Sequence, residues 1–188
     1  MSMFRPERVG FFGKLPAHGD FVRSQLPEPV VEALDLWCRA CLTASRAALG
    51  EGWTEAWMSA PIWQFLLPPG ACGPTALLGV WLPSVDRAGR HYPFLLCALA
   101  ATEAALRSGA AWLDLAEAEG LAGVVEDKPH AEIALALQAE RPAVALAGAG
   151  WWTEGSPLVH EVRFDVPSLL PPEIYAAAML RDKDRVAS

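Results

Sequence analysis

From Phe94 to Ala101 the chain runs through eight apolar residues in succession, Phe-Leu-Leu-Cys-Ala-Leu-Ala-Ala, before Thr102 and Glu103 end the run. A bilayer span needs about 20 apolar residues, so this segment is too short to cross a membrane. It has the length of a strand and no alternation of polar and apolar positions. Such a strand has apolar neighbours on both faces, which places it inside a sheet with one layer above and one below. The reading is a central strand over Tyr92–Ala100 covered by helices.

The flanking segments supply those helices and the neighbouring strands. Val9–Leu15, bounded by Pro16, reads as a short buried strand leading into a loop. Pro27, Glu28 and Pro29 suit a helix start, and the helix runs from about Val30 to Leu49 before Gly50 stops it. Thr54–Ser59 reads as a helical turn capped by Thr54 and closed before Pro61. Ile62–Leu67 and Ala76–Leu82 read as strands, joined as an antiparallel hairpin by a Pro- and Gly-rich turn. Thr102–Val125 reads as an alanine-rich helix interrupted near Gly109 and Gly120, and Pro129–Glu140 as another helix. Ala143–Trp152 and Leu158–Phe164 read as strands, and Pro172–Arg181 as a final amphipathic helix. The alternating charges of Arg181, Asp182, Lys183, Asp184 and Arg185 read as a solvated end. The 188 residues show no repeat and no linker. The expected fold class is α/β: a single domain over residues 1–188, with a mixed, mostly antiparallel sheet and helices packed on its faces.

Charge and composition exclude several function classes. With 15 Lys and Arg against 22 Asp and Glu, the formal net charge is −7, a poor match to a phosphate backbone, so no nucleic-acid partner is expected. A chain that is 53% hydrophobic is too apolar to be disordered. The first eight residues carry charge and no apolar core of a signal sequence, which leads to an expectation of cytoplasmic localisation. The four cysteines are Cys38, Cys41, Cys72 and Cys97. Cys38-x-x-Cys41 is half of a zinc pattern without a second half, so no metal and no cofactor are expected. Instead Leu34, Trp37, Cys38, Cys41, Leu42 and Ser45 recur at helical spacing and read as one buried stripe.

Three clusters are over-specified for a plain core: Gly13–Phe21, Ala60–Phe65 reaching Cys72-Gly73, and Pro83–Pro93. Gly10-Phe11-Phe12-Gly13-Lys14-Leu15 superficially resembles a phosphate loop. Only two residues separate its glycines, and Leu15 has no oxygen for magnesium, so nucleotide hydrolysis by that route is rejected. His18 and Asp20 are candidates for a base and its orienter, but their setting also fits a turn capped by Asp20. Ser84 lacks a nucleophile elbow, although His91 and His18 are available as bases. Asp86 can pair with Lys14, Arg87 or Arg90, and Arg90 can grip a carboxylate or phosphate with two N–H groups. The eight tryptophans read mainly as core, with Trp151 and Trp152 on opposite faces of a strand and at least one of them near the surface.

Taken in order, these clusters resemble the type VI secretion-associated TagF (ImpM) family. The resemblance rests on Gly13-Lys14-Leu15-Pro16 with Gly19-Asp20-Phe21, then Trp37 and Ser45, Trp57, Pro61–Phe65, Cys72-Gly73, Gly79–Pro93 and Trp151-Trp152. It is strongest over residues 9–96. It implies a non-enzymatic cytoplasmic regulator, a post-translational repressor of type VI secretion. The implied partners are type VI regulatory proteins, the forkhead-associated scaffold of the threonine-phosphorylation pathway among them. No catalytic residue is carried over.

The residues assigned to partner binding or loop structuring are Lys14, His18, Asp20, Ser84, Asp86, Arg87 and Arg90. The expectation is that the two loops carrying them meet at one edge, and that Asp86→Ala with Arg90→Ala weakens partner capture with little change in the melt. The alternative is an enzyme or small-molecule binder that recognises an anionic group through Lys14, Arg87 and Arg90. A homodimer formed on an exposed tryptophan face is a third, weaker reading.

Overall fold

The structure is a computed structural model that describes residues 1–182. The expected solvated end at Lys183, Asp184 and Arg185 lies outside the described residues. In chain order the strands and helices are β1 (Met3–Phe4), β2 (Arg8–Gly13), β3 (Val22–Ser24), α1 (Glu28–Leu49), α2 (Trp53–Met58), β4 (Trp63–Leu67), β5 (Ala76–Leu82) and β6 (Phe94–Ala100). There follow α3 (Glu103–Leu106), α4 (Ala110–Val125), α5 (His130–Ala136), β7 (Arg141–Pro142), β8 (Gly150–Thr153), β9 (Val162–Phe164) and α6 (Pro172–Tyr175), which continues as a π-helical turn over Ala176–Leu180.

The seven-stranded sheet has the order β3-β2-β6-β5-β4-β8-β9, and each neighbouring pair is antiparallel. β1 pairs separately with β7. β6 lies between β2 and β5, and all seven of its residues are buried. Alternate side chains leave a strand on opposite faces. Leu95, Cys97 and Leu99 therefore pack on the α1 side, with Trp37, Cys38 and Trp57. Phe94, Leu96, Ala98 and Ala100 pack on the α4 side, with Trp112, Leu113 and Ala116. The result is a three-layered α/β domain, and the uninterrupted apolar run is explained by its two covers.

The stripe on α1 forms as its spacing predicts: Leu34, Trp37, Cys38, Cys41, Leu42 and Ser45 are all buried. Trp53 donates its indole N–H to Ser45 Oγ at 2.9 Å, which satisfies the hydroxyl inside the core. The hairpin also forms, with Trp63 opposite Trp81. Gly109 does interrupt the alanine-rich helix, but Gly120 lies within α4. Its small size is a packing requirement, since a Cβ there would stand 2.8 Å from Leu82 Cδ1.

Three sequence readings need correction. Thr54 is not a cap; α2 begins at Trp53 with Gly52 before it, and Thr102 is the residue that caps, accepting from Ala105 N–H. The strand expected over Ala143–Trp152 shrinks to Gly150–Thr153, because Ala143, Val144 and Leu146 N–H groups bond to Ser2, Ser108 and Arg107 carbonyls instead of to a sheet. The strand expected over Leu158–Phe164 begins only at Val162, since Ser156 and Val159 close a tight bridge on themselves. β1 and β3 are too short to carry a readable pattern and were not anticipated.

The buried thiols have a chemical consequence. Burial pushes the Cys41 and Cys72 thiols up to about 12, and burial likewise raises Cys38 and Cys97. Since the thiolate is the reactive form, native protein at mildly alkaline pH is expected to show no rapid reaction with an aromatic disulfide. In denaturant all four cysteines are expected to react. Fast labelling of any one of them in the native state would show that the core opens there.

Candidate functional site

β2 ends at Gly13, and the chain turns out of the sheet into the first loop. Lys14 N–H donates to Pro93 O at 3.2 Å, and His18 N–H donates to Leu15 O at 3.0 Å. The second loop follows β5. Val85 and His91 make an isolated bridge at its neck, and Gly89 takes φ 79°, a left-handed conformation that suits glycine. Asp86 N–H donates to Arg90 O at 3.0 Å, and Gly89 N–H to Asp86 O at 2.9 Å, which closes the turn.

The Asp86 carboxylate joins the two loops. Its Oδ1 accepts from Ala88 N–H and Arg90 N–H, each at 2.9 Å. Its Oδ2 accepts from Lys14 Nζ at 2.9 Å and Arg90 Nε at 2.6 Å. The side chain is fully buried, that of Lys14 is one-tenth exposed, and that of Arg90 is 62% exposed. Burial alone would push the Asp86 carboxyl up. The Lys14 ammonium, the Arg90 backbone N–H and the Arg90 guanidinium outweigh it and hold the group well below the usual carboxylate range.

Further bonds fasten the loops along their length. Arg87 N–H donates to His18 O at 2.8 Å, and Arg90 Nη2 to Gly19 O at 2.7 Å. Arg87 Nη2 donates to Ala17 O. Lys14 Nζ also lies 5.0 Å from the centre of the Phe21 ring, which itself stacks on Phe12. The loops around residues 14–21 and 84–90 therefore form one clasped edge of the molecule.

The other candidate residues do not assemble a catalytic group. Ser84 is buried, and its Oγ donates to Val85 O at 3.4 Å. His91 packs edge-on to Trp53 at 5.0 Å and makes no hydrogen bond to Ser84 among the described residues. The His18 ring rests edge-on to His130 at 4.7 Å; burial first, then His130 and Arg87, lower its pKa. Asp20 is exposed and accepts from Phe21 N–H at 2.7 Å, a local turn bond. Among the described residues no cluster of three or more His, Cys, Asp or Glu is arranged to hold a metal ion.

Sequence reasoning missed Trp57 as a support of the site. Its indole N–H donates at 3.1 Å to Ser84 O, the carbonyl that also receives Tyr92 N–H at 3.1 Å. Its position before Pro61 marked it as notable, but only the fold brings α2 under the loop neck. Trp57→Phe keeps a six-membered ring but deletes the pyrrole half of a fully buried indole along with that bond, so it is expected to destabilise the protein by about 2 kcal/mol or more in denaturant unfolding. An unchanged midpoint would show that the loop neck does not depend on it.

The burial of Asp86 also corrects the expectation for the loop variant. A fully buried carboxylate with four donors holds the loops together, so its removal is now expected to lower the melt.

The layered fold and the clasped loops define a class of small α/β proteins that present a rigid loop edge. The model of the TagF N-terminal domain, type VI secretion system-associated, matches residues 10–139, well over half of the chain, and the protein belongs to that family. The match extends past the region of strongest motif resemblance and takes in α4 and α5. No curated protein matches the sequence. Among solved structures the chain is similar to the crystal structure of PA0076 from Pseudomonas aeruginosa PAO1, at 25% identity and a TM-score of 0.75, over 90% of this chain and 92% of that one. No helix among the described residues is long and apolar enough to cross a membrane.

Proposed function

We propose that this type VI secretion-associated protein is a non-catalytic cytoplasmic regulator that represses secretion post-translationally by binding a partner protein. The forkhead-associated scaffold of the threonine-phosphorylation pathway is the partner expected from the family. The observation that carries the reading is the closed Lys14–Asp86–Arg90 clasp. It spends the charges of both loops on each other and leaves a stiff edge with His18, Asp20 and Arg87 at its rim. Loops held rigid on a scaffold are suited to recognition.

The alternative, an anion-binding or catalytic site, needs Lys14, Arg87 and Arg90 to converge on an open cavity. Instead Lys14 faces Asp86, Arg87 bonds Ala17 O, and Arg90 is divided between Asp86 and Gly19 O. The homodimer reading needs an exposed tryptophan face. Trp152 is half-buried with Arg163 over its ring, and the other tryptophans are buried.

The test is co-purification from cells with an intact secretion cluster. Asp20→Lys alters the exposed rim and leaves both the Lys14–Asp86–Arg90 clasp and the Arg87 bond to Ala17 O in place. The expected result is loss of the co-purifying secretion proteins with a melt within a few degrees of wild type. Recovery of no secretion protein by the wild-type chain, or turnover of a metabolite by the pure protein, would overturn the proposal.

A further inference from the structure

α4 carries two stripes. Trp112, Leu113, Ala116, Gly120 and Gly123 are buried against the sheet, α5 and the loop after β2. Asp114, Glu117, Leu121, Val124 and Val125 form a second stripe at helical spacing, and this one lines open cavities. A cavity of about 430 Å³ lies along the C-terminal half of α4, against Met58, Ile62, Leu82 and Pro83. Its wall is apolar, and Met58, Leu121 and Val125 are 63%, 41% and 73% exposed. A second cavity of about 290 Å³ lies along the N-terminal half, and it contains Asp114, Glu117 and Glu154 and no cationic side chain. Ile62 lines both, so the two cavities adjoin at that residue and follow one another along α4 as a groove in two parts.

Neither Asp114 nor Glu154 has an ion-pair partner among the described residues. Glu117 accepts from Gln64 Nε2 at 3.0 Å, and Arg163, over the Trp152 ring, pairs with Asp165, so among the described residues the groove has an acidic end without ion pairs and an apolar end. From Asp114 to Val125 a helix rises about 17 Å, or roughly three turns. The apolar end also abuts Pro83, Ser84 and Val85, so it continues onto the clasped loop edge. We infer that this groove docks an amphipathic helix of a partner protein whose apolar stripe ends in Lys or Arg residues. Apolar side chains seat between Met58, Leu121 and Val125, and the basic end meets Asp114, Glu117 and Glu154. The seating is a helix in a groove, with the charges setting its direction. The inference rests on the reading that the chain acts by protein contact, and it names the surface and the chemistry of that contact.

The test uses the full chain and synthetic helical peptides of about 18 residues, roughly 27 Å long. One peptide has a leucine stripe ending in lysines, a second replaces those lysines with glutamates, and a third scrambles the order. Fluorescence anisotropy is expected to show saturable binding of the basic peptide alone. Val125→Asp or Leu121→Asp is expected to weaken it by about tenfold or more, as loss of a central apolar anchor does. Asp114→Lys with Glu154→Lys is expected to weaken it and to remove its salt dependence. Melts of the variants confirm that they fold, and both apolar positions are partly solvent-exposed in the wild type.

Equal binding of all peptides, or binding of none, overturns the inference. So does sedimentation showing a dimer that Leu121→Asp converts to monomer, because the occupant would then be a second copy. Co-purification separates the two claims. If Val125→Asp recovers the secretion proteins at the wild-type level, the groove assignment fails and the proposed function stands. If the wild type recovers none while the basic peptide still binds in the groove, the proposed function fails and the groove stands.

Discussion

Replacing Asp86 by alanine is expected to lower the melting temperature by on the order of 10 °C, the scale of breaking one partner out of a buried pair in a chain of this length. The carboxylate is the common acceptor for Lys14, Arg90 and two backbone N–H groups. Its removal leaves the Lys14 ammonium one-tenth exposed and without its counter-charge. Lys14→Met combined with Asp86→Leu is expected to recover part of the loss, because it leaves neither charge stranded. A melt of Asp86→Ala within two or three degrees of wild type would show that the loops are held by the Arg87 and Arg90 carbonyl bonds alone.

The same carboxylate sets a pH dependence. Its folded pKa lies below its unfolded value, so the folded state favours ionised Asp86. Its contribution is fully present above the unfolded value of about 4 and is lost as the pH falls through the folded value. The stability gap between wild type and Asp86→Asn is therefore expected to be constant from neutral pH down to about 4, and to close below it. A gap that instead narrowed between neutral pH and about 5 would assign the dependence to another group.

Gly13→Ala is expected to cost more than about 4 kcal/mol, a large part of the stability of an ordinary domain. A Cβ there would lie 2.1 Å from Pro93 O and 2.9 Å from Phe94 Cα, and φ is 141°. Both neighbours are backbone atoms of β6 and its approach, so neither can turn aside. The expected readout is loss of soluble protein or a collapsed melting transition. Gly70→Ala is the control, since its φ of 98° is also positive but the space around it is open. It is expected to cost only backbone strain, about 1–2 kcal/mol. Equal costs at the two positions would mean that strain, and not the approach of β6, makes Gly13 necessary.

Long-period patterns carried most of the fold. The apolar run at Phe94–Ala100 placed β6 inside the sheet, and the helical stripe from Leu34 to Ser45 located the buried face of α1. Apolar character failed as a guide at Ala143–Ala149, where bonds to the carbonyls of Ser2, Arg107 and Ser108, all far away in sequence, replace sheet pairing. The loop residues were legible as a set, because Gly, Pro, Asp and Arg at that density mark turns with internal bonding. Their division into buried and exposed members was not. Asp86 and Asp20 are both loop aspartates in the sequence, yet one is enclosed by a lysine 72 residues away and the other faces solvent.

The groove along α4 was invisible for a related reason. Leu121 and Val125 have the composition of core residues, and only the position of α2 and the β5 end shows that, among the described residues, they stay open to solvent. Composition and periodicity by themselves determined that this chain forms a layered α/β domain, because burial of each apolar face follows from local spacing. Tertiary structure alone decided which charges neutralise one another and which apolar side chains stay open, because those outcomes depend on which distant segments the sheet order makes neighbours.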